Sequence, residues 1–205
     1  MDESKENRKI ETKELVRQYL KRKYPDAQFS DIDLDFLVRY SVKKEPSANT
    51  ILKSIGNDIQ TEQAYYNAHP AVKAAKDDFQ YIYERFSKKQ KDYKNAFNGS
   101  FEAFLAWWCE KTPENGIRHC CYCGIDENTL KDAFKNGLVI SKKTSFSGEL
   151  QIERKDPNGD YCDSNCEFAC VICNNAKSDM ISAEDFTKFF VPGIKEYWEH
   201  IKEKI

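Results

Sequence analysis

Residues 170–177 read Cys170-Val171-Ile172-Cys173-Asn174-Asn175-Ala176-Lys177, and this stretch indicates how the C-terminal half of the chain is built. An earlier pair with the same spacing, Cys120 and Cys123, is followed at once by Gly124. Two intervening residues let a tight turn aim both sulfurs of a pair at one ion, so two Cys-x-x-Cys pairs form the ligand set of a tetrahedral zinc site. The spacing predicts a structural Zn²⁺ that ties two segments of a small domain together.

The composition excludes several classes of protein. None of the 205 residues belongs to a run of roughly 20 apolar residues, the length that a membrane helix needs. Six of the first nine residues are charged, and this segment lacks the apolar core of a signal peptide, which predicts a cytoplasmic protein. In that compartment, eight cysteines are expected to be metal ligands and free thiols rather than a disulfide framework.

The charge of the chain does not by itself predict a polyanion-binding protein. The net charge is -2, and neither half of the chain is strongly basic. Contact with nucleic acid would have to rest on local cations, and the alternative is that these are ordinary surface charges. The cations in question are Arg118, Lys142, Lys143, Arg154, Lys155 and Lys177.

Residues 1–112 are predicted to be a helical region. An apolar stripe marks the first helix, which is expected to end at Tyr24-Pro25, and a second helix is expected over 31–44. Pro70 suits the first turn of a long helix, and Ser100 is a plausible cap for a helix over 101–111. The stripe consists of Ile10, Val16, Tyr19 and Leu20. The aromatic residues Phe104, Trp107 and Trp108 are interpreted as core, with a stacking platform for bases as the alternative.

Residues 113–205 have a different sequence pattern, with more predicted loops and shorter apolar runs. A glycine-ended knuckle is expected at 119–124, strands at 138–140 and 149–153, a turn at 156–160, a return strand at 166–170 and a short helix at 171–180. Two closing helices follow Ser182 or Ala183, divided at Pro192-Gly193. The predicted fold class is α+β, with the helical region 1–112 followed by a small zinc-braced domain at 113–205.

These motifs together resemble a known family. The run Cys120-x-x-Cys123-Gly124, then Ile152-Glu153-Arg154, then Asn165, and finally Cys170-x-x-Cys173-Asn174-x-x-Lys177 resembles the zinc-bearing HNH endonucleases. The resemblance covers about residues 118–179 and implies a ββα-metal fold, in which a hairpin and a helix hold a catalytic divalent ion and the cysteine site braces the unit. Cysteine pairs alone are weak evidence, and their coupling to the interior Asn and the trailing Asn-x-x-Lys makes the match more specific.

The resemblance also implies roles for single residues. Glu153 corresponds to the acidic ligand of a catalytic Mg²⁺ or Mn²⁺, and Asn174 corresponds to the second ligand, on the helix. Asn165 matches the asparagine that braces the hairpin loop and orients the general base. Lys177, one helical turn beyond Asn174, is expected to face a phosphate.

Arg154 departs from the family pattern, because a histidine that serves as the general base usually follows the acidic residue. A guanidinium cannot take a proton from water at neutral pH. Arg154 could instead clamp the scissile phosphate, while metal-bound hydroxide or another residue is the source of the nucleophile. Tyr161 is a candidate base or orienting group, and Lys155 and Asp156 are weaker candidates. Alternatively, the hairpin only binds. The acidic-Arg pair followed by a Gly-x-Tyr pattern resembles a branch of HNH-like proteins, which favours retained function.

The remaining histidines and cysteines are expected to be structural. His119, next to Cys120, is interpreted as a packed or solvent-facing side chain, with a supporting or substitute zinc ligand as the alternative. The four-cysteine set is complete without the other thiols, which are expected to be packed or free. The residues concerned are His69, His200, Cys109, Cys121, Cys162 and Cys166.

Three functional hypotheses follow from the sequence. The first is a metal-dependent endonuclease that hydrolyses phosphodiester bonds in nucleic acid, with DNA as the expected substrate. The second is an inactive zinc-stabilised module that binds nucleic acid or protein, and the third is rubredoxin-like iron chemistry at the cysteines. HNH-like nucleases serve restriction, anti-phage defence, mobile elements and phage packaging. In such settings, the N-terminal helices are expected either to dock a partner, such as an ATPase subunit of a defence system, or to contact DNA.

Overall fold

The structure is a computed structural model that describes residues 3–38, 50–51, 61–141 and 148–205, with side chains from residue 11 onward. The end of the predicted helix over 31–44, together with Lys142 and Lys143, lies outside these residues. The chain divides into two compact units, Met1–Glu110 and Lys111–Ile205. No helix in the described ranges combines the length and the apolar character needed to cross a membrane.

The first unit is helical in its described part, and several of its helix boundaries follow the predicted signals. Helix α1 ends just before Tyr24-Pro25, α4 begins at Pro70, and the Ser100 hydroxyl accepts from the Ala103 amide at 3.2 Å at the start of α5. The helices are α1 Glu3–Lys23, α2 Asp31–Val38, α3 Glu62–Ala68, α4 Pro70–Asp92, the 3-10 helix Ala96–Gly99 and α5 Phe101–Glu110.

Aromatic side chains form much of the core of the first unit. Phe104, Trp107 and Trp108 are at most 2% exposed, and Phe79 of α4 meets Tyr19 of α1 edge to face at 5.2 Å. The interpretation of these aromatic residues as core is therefore confirmed. A stacking platform would need exposed ring faces, which the α5 aromatic side chains do not offer.

The second unit combines helices with a two-stranded antiparallel sheet, which confirms the predicted α+β mixture in general terms. The strands pair with Glu153 opposite Glu167 and with Arg154 opposite Cys166. The next helix, α7, packs against β1. The elements are α6 Glu127–Lys135, β1 Gln151–Arg154, β2 Cys166–Ala169, α7 Val171–Lys177, α8 Ala183–Phe189 and α9 Val191–Lys202.

The predicted strand over 138–140 is wrong. A helix that was not predicted, α6, ends at Lys135, and the amides of Leu138 and Val139 both donate to the carbonyl of Ala133, at 2.9 and 3.2 Å. These apolar residues therefore complete the C-terminal end of a helix instead of joining the sheet. The signals that could have revealed α6 are Asp126, whose carboxylate caps the helix by accepting from the Thr129 amide, and Gly137 beyond the last turn.

Pro192-Gly193 does not divide the two closing helices. The division lies at Phe190, and Pro192 belongs to the first turn of α9. A proline is tolerated there because the first turn leaves its backbone N–H groups without helical acceptors, so the missing N–H costs nothing.

Candidate functional site

The four predicted cysteine ligands converge in the second unit. The sulfur atoms of Cys120, Cys123, Cys170 and Cys173 lie within 4.8 Å of one another, and all four residues are buried. The sulfurs of Cys123 and Cys170 are 3.7 Å apart. A tetrahedral site with metal–sulfur bonds of about 2.3 Å has sulfur–sulfur edges of about 3.8 Å, so the cluster fits a structural metal ion.

Backbone hydrogen bonds shape each cysteine pair for this convergence. In the first pair, the Gly124 amide donates to the Cys120 carbonyl at 3.0 Å, in a turn where Gly124 has a φ of +78°, a conformation that glycine adopts without a steric penalty. In the second pair, Cys170 is the N-cap of α7, and its sulfur accepts from the Cys173 amide at 3.4 Å. The first knuckle also joins the sheet, because the Cys121 amide donates to the Phe168 carbonyl at 2.8 Å.

A buried ion pair lies beside the first knuckle. The Arg118 guanidinium donates to both carboxylate oxygens of Glu127, at 2.8 to 3.2 Å, and lies 4.7 Å from the centre of the Phe168 ring. Burial would raise the pKa of Glu127, but the charge of Arg118 and its hydrogen bonds outweigh burial and hold that pKa below its usual value. Arg118 is thus a structural cation, not the surface cation that was a candidate for nucleic-acid contact.

Glu153 and Lys177 form a second buried ion pair. Lys177 has no exposed surface and Glu153 is 5% exposed. The ammonium nitrogen lies 2.8 Å from Glu153 Oε1 and donates to the carbonyls of Arg154 at 3.1 Å and Ser178 at 3.4 Å. Asn174 and Lys177 share a face of α7, as predicted, but that face lies against β1, so Lys177 points inward instead of facing a phosphate.

The two predicted ligands of a catalytic divalent ion are both engaged within the protein. Glu153 Oε1 lies 2.8 Å from the Lys177 ammonium nitrogen. The Asn174 amide nitrogen donates to Gln151 Oε1 at 2.5 Å, a bond that uses the nitrogen and not the oxygen that would bind a metal ion. Mg²⁺ and Mn²⁺ favour carboxylates whose charge is not already neutralised. The pairing of Glu153 with Lys177 therefore does not fit a divalent ion at Glu153 while Lys177 keeps this position.

Asn165 holds the loop that joins β1 to β2. Its side-chain nitrogen donates to the carbonyls of Asp156 at 2.9 Å and Asp160 at 3.0 Å, and its oxygen accepts from the Asp156 amide at 2.9 Å. Gly159 permits this close approach, because a Cβ there would lie 2.7 Å from the Asn165 side-chain nitrogen. Asn165 thus has the contacts of a loop brace.

Replacing Asn165 with alanine is expected to loosen this loop. Two donors and one acceptor are lost together, which we expect to cost about 1–3 kcal/mol of unfolding free energy. Chemical denaturation measures the loss, and limited proteolysis should show new cleavage within 155–165. Asn158→Ala, the same change at an exposed position of the same loop, is the control. Equal stability of the two variants would contradict the bracing role.

Arg154 and Tyr161 come together at the end of the hairpin. The Arg154 guanidinium carbon lies 4.7 Å from the centre of the Tyr161 ring, and Nη1 donates to the Gly159 carbonyl at 3.1 Å. Arg154 is partly exposed and Tyr161 is 9% exposed. The loop therefore presents a permanent cation stacked on a phenol ring.

Glu167 belongs to the same neighbourhood but was not predicted as a site residue. It lies directly opposite Glu153 in the sheet, and its Oε1 is 2.8 Å from the Lys111 ammonium and 3.8 Å from that of Lys155. Opposed positions in an antiparallel pair share a face. Pairing the two predicted strands in register would have revealed this second carboxylate.

The candidate cations differ in what they can contact. Arg118 and Lys177 are buried in ion pairs, whereas the Lys155 side chain is 46% exposed and Arg154 is partly exposed. Since Lys142 and Lys143 lie outside the described residues, Arg154 and Lys155 are the two described candidates whose side chains reach the surface.

The remaining histidines and cysteines are not members of the four-cysteine group. His119 is exposed, Cys121 is exposed, and burial raises the pKa of the Cys109 thiol to about 12. Cys166 is buried in β2, and the Cys162 sulfur lies 3.3 Å from the Ser164 hydroxyl. His69 stacks on Tyr65 in the first unit, with ring centres 4.2 Å apart.

Comparison with known proteins gives one structural similarity. No protein-family model matches the chain, and no curated protein matches it. Among solved structures, the chain is similar to that of the rare-cutting HNH restriction endonuclease PacI, which is described as perturbing DNA by an extraordinary mechanism. The identity is 26% and the TM-score 0.45, over 58% of this chain and 78% of that chain.

Proposed function

We propose that this chain is an HNH-type endonuclease that hydrolyses phosphodiester bonds in nucleic acid, with DNA as its expected substrate. The observation that carries the proposal is the order and placement of the parts. A hairpin and a helix follow each other as β1, β2 and α7, beside a four-cysteine cluster. Glu153 lies on β1, Asn165 holds the hairpin loop and Asn174 lies on α7, at the three positions that the sequence motif marks.

The identity of the metal ions is part of the proposal. Four buried thiol ligands with tetrahedral spacing support Zn²⁺ as the structural ion. A catalytic Mg²⁺ or Mn²⁺ on Glu153 and Asn174 would require Lys177 to leave Glu153. The assay below therefore compares reactions with and without divalent ions.

Arg154 and Tyr161 are the residues that we assign to the reaction itself. The guanidinium can donate to two oxygens of a phosphate, which would stabilise the negative charge that develops during hydrolysis. The Tyr161 hydroxyl, on the ring beneath it, can accept a hydrogen bond from the attacking water and orient it. The Gly159 carbonyl and the Asn165 brace keep this pair in place.

A second function is favoured by the Glu153–Lys177 pair. A carboxylate neutralised by a buried ammonium group is a structural feature, and a hairpin without a histidine base can serve for binding alone. On this alternative, the second unit is a catalytically inactive zinc-stabilised module that binds nucleic acid or protein. The same assay distinguishes the two, because only the nuclease turns over.

The cellular setting is also proposed. A cytoplasmic nuclease of a bacterial or phage defence system would agree with the sequence features, and the helical region 1–112 would then dock a protein partner, such as an ATPase subunit, or contact DNA. Co-purification of the full chain with a candidate ATPase, compared with a chain lacking residues 1–110, tests the docking role.

Replacing Arg154 with alanine is expected to reduce nucleic-acid cleavage by about 10²–10³-fold, the usual effect of losing one group that stabilises transition-state charge. The measurement is plasmid nicking and single-strand cleavage with Mg²⁺, Mn²⁺ or EDTA, using zinc-loaded protein. Tyr161→Phe, Glu153→Ala and Asn174→Ala complete the series. Lys195→Ala, which removes an exposed cation on α9, is the matched control and should cut at the wild-type rate.

Two results would count against the proposal. If folded, zinc-loaded wild type cuts neither substrate with any ion, the nuclease function is wrong and the binding module stands. If Arg154→Ala cuts as fast as Lys195→Ala, the nuclease proposal survives but the role of Arg154 does not.

A further inference from the structure

The face of the hairpin that contains Glu153 carries more positive than negative charge. Glu153 and Glu167 are opposed across the two strands, where like charges destabilise a sheet unless they are compensated. Three ammonium groups surround these two carboxylates: Lys177 on Glu153, and Lys111 with Lys155 on Glu167. The compensation is therefore supplied by lysines of the chain itself.

Hydrogen bonds and burial, in addition to charge, keep the Lys177 ammonium beside Glu153. Its ammonium has Glu153 and the carbonyls of Arg154 and Ser178 as partners, and its side chain has no exposed surface. A divalent ion at Glu153 would have to displace the ammonium and leave it without its anion in a buried place. Leaving a charge buried and unpaired is strongly unfavourable, so the ammonium competes well against a hydrated metal ion.

We propose that Lys177 is the resident cation of the Glu153–Glu167 face and keeps divalent metal ions from binding at Glu153. The carboxylate pair then contributes to the stability of the hairpin and helix, and Mg²⁺ or Mn²⁺ has no ligand site there in the folded protein. Exclusion of divalent ions by Lys177 does not depend on whether the chain cleaves nucleic acid.

The test measures Mn²⁺ binding to the full, zinc-loaded chain. Binding is monitored by the decrease in the electron paramagnetic resonance signal of free Mn²⁺. Wild type and Glu153→Gln are compared first, and both should bind Mn²⁺ equally and only weakly, with a Kd above about 1 mM. Lys177→Met removes the ammonium and keeps a long side chain. This variant should gain a Mn²⁺ site at least about tenfold tighter, which the double variant Glu153→Gln/Lys177→Met lacks.

Each outcome of the Mn²⁺ measurements supports or overturns the exclusion of divalent ions by Lys177. Wild type that binds Mn²⁺ at least about tenfold more tightly than Glu153→Gln would overturn the proposal. A folded Lys177→Met that gains no site would also overturn it, because the exclusion would then not come from the ammonium. If Lys177→Met does not fold, the comparison of wild type with Glu153→Gln still decides. Absence of cleavage by wild type would overturn the nuclease function while leaving this result unchanged.

Discussion

Replacing Cys173 with serine is expected to release the structural metal ion and unfold residues 111–205. Cys173 is fully buried, belongs to the four-sulfur cluster and lies on α7, so its loss removes a link between the knuckle at Cys120 and the helix. Binding of structural Zn²⁺ contributes about 10–16 kcal/mol in small zinc domains, more than most domains have in total. A three-ligand site keeps only part of this free energy.

The measurements are metal content and local protection from hydrogen exchange. Wild type should contain about one zinc per chain, whereas Cys173→Ser should contain much less and lose exchange protection in peptides from β1, β2 and α7. Peptides from α4, which lies in the other unit, are the internal reference. Cys121→Ser changes an exposed cysteine outside the cluster and should behave as wild type.

Two results would contradict this account of the cluster. Full zinc content and full protection in Cys173→Ser would show that the four sulfurs do not hold the ion. Iron recovered from wild type in place of zinc would instead favour the rubredoxin-like alternative.

Replacing Arg118 with methionine is expected to cost about 3–5 kcal/mol of unfolding free energy in the second unit, because it leaves the Glu127 carboxylate buried without its partner. The loss of the contact with the Phe168 ring adds to this cost. Denaturant unfolding of zinc-loaded protein measures the effect. The double variant Arg118→Met/Glu127→Leu removes both charges and should recover most of the stability.

The matched control for Arg118 is Lys131. Its ammonium lies 3.9 Å from the same carboxylate, but its side chain is 47% exposed. An exposed partner is screened by water, so Lys131→Met should cost less than about 1 kcal/mol. Equal losses for Arg118→Met and Lys131→Met would contradict the assignment of Arg118 as the structural partner.

The contribution of Glu127 to folding stability depends on pH with opposite signs in wild type and in Arg118→Met. In wild type the pKa of Glu127 is lowered on folding, so the pair stabilises the fold above the unfolded pKa of about 4.3, and this contribution is lost as pH falls through the folded pKa. In Arg118→Met, burial still raises the pKa of Glu127, while the exposed Lys131 ammonium and the backbone hydrogen bond from Leu150 oppose it less strongly than Arg118 did, so we expect protonation to favour the fold. The cost of Arg118→Met should therefore be smaller at pH 5.5 than at pH 7, a range in which wild-type Glu127 stays ionised.

Local sequence patterns predicted many of the elements correctly. Pro70 and Ser100 mark helix starts because their effects act within one turn. The predicted strand at 149–153 contains β1 except for Arg154, and the predicted return strand at 166–170 contains all of β2. The errors have the same local origin. Leu138 and Val139 have strand character by composition, but the helix that they complete was not recognised, so their role could not be inferred.

The sequence by itself predicted the four-cysteine cluster and the positions of the hairpin and helix residues, because Cys-x-x-Cys spacing and Asn-x-x-Lys periodicity are geometric constraints carried by a few consecutive residues. Only the tertiary structure decided what those residues face. Whether Lys177 meets a phosphate or Glu153 depends on which face of α7 packs on β1, and whether Arg118 meets solvent or Glu127 depends on where α6 lies. Burial and ion pairing arise between segments far apart in the chain, so they follow from packing and not from local pattern.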